Sequence, residues 1–170
     1  FGLDLNPHYF NYTNETIQGE VYVNLHASLP QEVEKIAGVM QLGNNDISLP
    51  PNQETTLSKT YSFYDIVNSL TINPPGLNQI NIFQLFSHAH QLMTRFDIYI
   101  NYANGESDLI YTALDYEHPP VLSLDPPLTL NIGESLTANV TYNNTTDDYV
   151  HFGLLSTDEM MIIFGLLYFN

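Results

Sequence analysis

Residues 96–114, FDIYINYANGESDLIYTAL, read as two runs of alternating apolar and polar side chains around a short polar insert. Alternation with a period of two belongs to a pleated strand, whose successive side chains point to opposite faces. Asn104-Gly105 lies between the runs, and these residues accept the positive φ angles that tight β-turns demand. The stretch therefore predicts a β-hairpin.

Working outward, the same pattern recurs between clusters of Pro, Gly and Asn. Upstream are IQGEVYVNLHA (17–27), with Ile17, Val21, Val23 and Leu25 on one face, IAGVMQL (36–42), TTLSKTYSF (55–63) and INIFQLFSHAHQL (80–92). Downstream, a proline-rich connection, EHPPVLSLDPP, leads to SLTANVTY, a NNTTDD turn, YVHFGLL and MIIFGLLYF; the last is apolar enough for a central strand. Only PQEVEKIA and SFYDIVNSL have any helical character, and neither keeps an amphipathic repeat beyond two turns, so both read as loops or single turns. No period of about twenty to fifty residues repeats. The expectation is an all-β, antiparallel β-sandwich, jelly-roll-like, with about eight to ten strands, in a single domain spanning residues 1–170.

Composition agrees: 44% hydrophobic residues fill one core, and Tyr, Thr, Val, Ile and Phe outnumber the helix formers. Nineteen Asp and Glu face only Lys35, Lys59 and Arg95, for a formal net charge of −16. Nucleic-acid binding needs a basic surface that displaces counterions, so that class is excluded. With no cysteine, disulfides and thiolate metal sites are excluded too, and a metal must be held by His, Met or carboxylate. The longest apolar run, MMIIFGLLYF, is too short for a transmembrane segment. Asn11, Asn14, Asn139, Asn143 and Asn144 begin Asn-x-Ser/Thr acceptors, which suit an extracellular, secreted glycoprotein. The start at FGLDLNPHYF, without a signal peptide, reads as a mature product or one domain of something longer.

SHAHQLM carries the most chemistry. In a strand, His88 and His90 point to the same side from Cα atoms roughly 6.5–7 Å apart, within reach of one ion. Near the C-terminus, STDEMM places Asp158, Glu159, Met160 and Met161 ahead of the last strand. Acidic residues there end loops and methionines often fill cores. Joined to two histidines, however, a thioether makes an N₂S set suited to copper, since sulfur favours Cu(I) and imidazole accepts both oxidation states.

The order SHAHQLM, EHPPVLSLDPPLTLNIGESLTANVTYNNTT and VHFGLLSTDEMMIIFGLLYF resembles the C-terminal domain of the copper type II, ascorbate-dependent monooxygenases, among them peptidylglycine α-hydroxylating monooxygenase and dopamine β-monooxygenase. The resemblance implies that His88, His90 and Met160 bind the copper at which oxygen is activated and substrate hydroxylated, with ascorbate as reductant. LDLNPHYFN is similar to the family's His-Tyr segment, which implies that His8 belongs to a second, electron-transferring copper. The adjacent His-His pair of that second site has no counterpart here, Met93 stands where Gly is common, and Met161 replaces a common Cys. A two-copper hydroxylase therefore needs an N-terminal copper domain as partner. His26, His118 and His151 read as structural or exposed. The alternative is a non-catalytic extracellular structural or adhesive module, a subunit of a surface assembly, that keeps the fold.

Overall fold

A computed structural model describes residues 11–70 and 76–169. The chain forms two compact units, Phe1–Glu34 and Lys35–Asn170. In the first, the described residues carry one 3₁₀ turn, Pro30–Glu32, and no strand. The strand expected over 17–27 is absent, and Ile17, Val21, Val23 and Leu25 are all exposed. Alternation says which face a strand would bury, but a strand also needs a neighbour for its backbone N–H and C=O groups. None is present among the described residues of this unit, and His26 lies on the same exposed stretch.

The second unit holds β1 (Gly38–Gly43), β2 (Ser48–Leu49), β3 (Gln53–Ser62), α1 (Phe63–Asn68), β4 (Gln79–His88), β5 (Met93–Asn101), β6 (Ser107–Ala113), β7 (Leu122–Asn131), β8 (Ser135–Asn144), β9 (Val150–His151) and β10 (Ile162–Tyr168). All ladders between these strands are antiparallel. Two four-stranded sheets run β1-β10-β4-β7 and β3-β8-β5-β6, and β2 pairs with β9. Early strands beside late ones in two facing sheets is jelly-roll order, so the all-β sandwich read from the sequence is the fold.

One core lies between the sheets. Ile80, Ile82 and Leu85 of β4 and Ile163 of β10 meet Phe96, Ile98, Ile100, Leu136, Ala138 and Val140 of the other sheet, all without solvent contact. As its apolar sequence suggested, β10 is central, between β1 and β4. The close fit depends on Gly165, where a Cβ would lie 2.8 Å from Met40 Cε and 2.9 Å from the Gln84 carbonyl oxygen.

Three local features differ from the sequence reading. In the β5–β6 hairpin only Gly105 takes a positive φ, 90°. The loop is longer than two residues, closed by Tyr102 N–H to the Glu106 carbonyl (2.8 Å) and Gly105 N–H to the Tyr102 carbonyl (3.0 Å). The proline-rich connection runs into an edge strand, β7. Its ladder with β4 jumps from Gln84↔Ser123 to Ile82↔Leu128, so Pro126 and Pro127 sit where no ladder N–H is needed. Residues 63–68 close into a short helix because Ser62 and Asp65 cap each other. Ser62 Oγ accepts the Asp65 N–H (3.2 Å) and Asp65 Oδ2 accepts the Ser62 N–H (2.8 Å). No helix among the described residues is long and apolar enough to cross a membrane.

Candidate metal centre

A β-bulge aims the histidines. Before it, Ile80 and Ile82 face the core; both ladders of β4 then skip Phe83, and Leu85, Ser87 and Ala89 take over the core-facing positions. Ser87 confirms the switch by contacting the buried Tyr111 hydroxyl through its N–H (3.1 Å) and Oγ (3.0 Å). Without the extra residue His88 would share the parity of Ile80 and Ile82 and point into the core. With it, His88 turns to the outer face.

There the two imidazoles meet, ring centroids 5.2 Å apart and planes at 81°. The paired strand stops at His88, so His90 lies just past its end rather than within it. Phe86 stacks on Phe164 at 5.2 Å, and Phe164 lies 6.4 Å from the His88 ring, covering one side of it. Burial, and then the neighbouring His90, hold His88 below the ordinary imidazole range, which keeps its ring neutral and its lone pair available. His90 Nδ1 is 2.8 Å from the Asp158 carbonyl oxygen. A carbonyl only accepts, so Nδ1 donates to it, and Nε2 is the ring nitrogen left to face a metal.

Met160 approaches from β10. The ladder ends where it pairs Ile162 with His88; continued two residues past that end, its register would bring Met160 opposite His90. Met160 is buried yet lies outside the core cluster, whereas Met161 belongs to it, with Sδ 3.5 Å from Asn44 Nδ2. The Met160 carbonyl accepts the buried Tyr142 hydroxyl at 2.7 Å.

Glu159 ties these parts together. Its carboxylate has no solvent exposure; Oε2 accepts the N–H groups of His90 (2.9 Å) and Met160 (3.2 Å), and Oε1 accepts the Leu92 N–H (2.7 Å). Burial pushes its pKa up while the three N–H groups pull it down. Along the chain, Glu159 has the look of an acid ending a loop. The signal for its real place was an acidic side chain set against buried methionines.

The remaining histidines stay apart in character. His118 is exposed, with Nδ1 3.4 Å from Asp115 Oδ2. His151 is exposed, with Nδ1 3.3 Å from the Ile47 carbonyl and its ring stacked on Tyr149. His8 lies outside the described residues. Among the glycosylation acceptors, Asn144 is fully buried and its Nδ2 donates to the Leu49, Pro50 and Asp148 carbonyls, so a glycan there is incompatible with the fold; Asn11 and Asn14 are exposed.

Residues 35–170 match the family of the copper type II ascorbate-dependent monooxygenases, C-terminal domain. The chain belongs to this family. The match begins where the second compact unit begins, so the jelly roll is the monooxygenase C-terminal domain. A search of curated proteins found no match to the chain. Among the described residues of this monooxygenase domain no three His, Cys, Asp or Glu side chains converge as a metal site. Two imidazoles and a thioether make a donor set that fits copper.

Proposed function

We propose that this monooxygenase C-terminal domain binds one copper ion through His88, His90 and Met160. In this reading it is the oxygen-activating half of an ascorbate-dependent hydroxylase whose second copper is held by an N-terminal domain. The observation that carries the proposal is the fixed imidazole pair, 5.2 Å between rings, with His90 Nδ1 occupied by the carbonyl of Asp158, two residues before Met160. Copper held there supplies a centre that cycles between Cu(I) and Cu(II). The chain's own residues have narrower tasks: Asp158 fixes the His90 tautomer, burial keeps His88 unprotonated, and Phe86 with Phe164 shields one side of the pair. His8 is assigned to the second copper by resemblance alone. An extracellular location belongs to the same proposal, supported by the exposed acceptors Asn11 and Asn14 and the absence of thiols that would need protection from oxidation.

Titration with Cu(I) against a competing chelator tests this. One equivalent should bind, and His88→Ala or Met160→Leu should each weaken binding by about tenfold or more. Absence of stoichiometric binding by the folded wild-type chain would leave the fold without its metal chemistry. The second reading, a non-catalytic extracellular module, is favoured by the exposed apolar row Ile17, Val21, Val23 and Leu25. Self-association of the copper-free chain would support it.

A further inference from the structure

The β4–β10 ladder ends at His88↔Ile162, two residues short of the point where its register, if continued, would bring His90 opposite Met160. Beyond it the two segments are joined through a side chain: the Glu159 carboxylate sits between them and takes the N–H groups of His90, Leu92 and Met160. We infer that Glu159 is a positioning residue for the copper site, setting the separation of His90 from Met160 in place of the strand ladder. For copper the inference rests on the ligand reading above.

A carboxylate is needed because the pocket offers three donors. A glutamine has a single oxygen to accept them, and its NH₂ group would face at least one backbone N–H. If that oxygen takes the Oε2 place, the Leu92 N–H is left against another donor and the loop after β4 must move. Because Glu159 also precedes Met160 directly, any such shift changes the distance between imidazole and thioether. The Tyr142 hydroxyl on the Met160 carbonyl and the Asp158 carbonyl on His90 Nδ1 hold the two segments from other sides, which confines the change to the site.

The test is Glu159→Gln in the full chain, read twice. Without metal, NMR should detect a cross-relaxation contact between the Met160 ε-methyl and the His90 ring in the wild type, weakened or lost in the variant, while the amide signals of Ile98 and Val140 stay in place. With metal, Cu(I) affinity should fall about ten- to a hundredfold, the usual effect of removing a group that orients ligands. If the contact and the affinity are both unchanged in the variant, Glu159 only fastens a loop and the inference is overturned. If the wild type binds no copper but the metal-free contact responds as stated, positioning stands and the copper reading falls. Should Glu159→Gln not fold, Glu159→Asp, which keeps the charge and reaches one methylene less far, is measured in the same two ways: a weakened contact with lower affinity supports positioning, and no change in either overturns it.

Discussion

Two buried polar side chains pin loops to the jelly roll, and they do it with opposite chemistry. Asn144 holds the turn after β2 and the loop after β8: its Nδ2 donates to three carbonyls, and its Oδ1 accepts the Thr146 N–H at 3.0 Å and hydroxyl at 2.8 Å. Glu159 holds the loop after β4 and the segment before β10 by accepting three N–H groups and donating none. An amide serves where donors and acceptors are mixed. An acceptor alone serves where every group to be satisfied is a donor, even though burying a charge costs more than burying an amide. The costlier of the two lies beside the histidine pair, which is where position matters beyond stability.

The contrast can be tested from its strongest consequence to its weakest. His88→Ala removes a proposed copper ligand without touching either loop; Cu(I) binding should fall by about tenfold or more, at least as much as the loss of an orienting group, with the melting temperature of the copper-free chain little changed. Asn144→Ala leaves buried carbonyls and the Thr146 N–H unpaired and should cost about 1–3 kcal/mol in urea unfolding. It should leave Cu(I) affinity unaltered, which is the point of difference from Glu159→Gln. If Asn144→Ala weakens copper as strongly as Glu159→Gln does, the site responds to general loosening and the contrast collapses.

Asp65 supplies the low end of the scale, a carboxylate doing a similar task at the surface. Its hydrogen bonds to Ser62 Oγ and N–H hold its pKa below the ordinary 3.8. A depressed carboxylate contributes stability that is present above the ordinary value and lost as pH falls through the lower folded value. Solvent screens so exposed a group, and the contribution should stay below about 1 kcal/mol. Asp65→Asn should therefore lower stability at neutral pH by that small amount, flatten the acid limb of the stability–pH curve, and leave stability below the lowered pKa nearly unchanged.

Most of the fold was legible because alternation reports directly on half-buried strands. The runs at 36–42, 55–63, 96–114 and 135–142 all became β-structure, and MIIFGLLYF became the central strand. Alternation alone misled at 17–27, where the pattern has no neighbour to pair with among the described residues of its unit. Proline composition hid β7, since Pro126 and Pro127 are tolerated at an unpaired stretch of an edge strand. At the site, His-x-His showed that two rings share a face, but not which face. That depends on the bulge at Phe83, an insertion visible only in the ladders on both sides of β4. Glu159 was hidden for another reason: a buried acid is justified by donors from residues nearly seventy positions away along the chain, at His90 and Leu92.

Convergence of two imidazoles and one thioether is the claim on which the rest depends, and X-ray absorption at the copper edge of the Cu(I)-loaded chain measures it directly. The predicted result is a shell of two imidazole nitrogens and one sulfur, with the sulfur absent in Met160→Leu. A wild-type spectrum without sulfur, or one that Met160→Leu leaves unchanged, contradicts it.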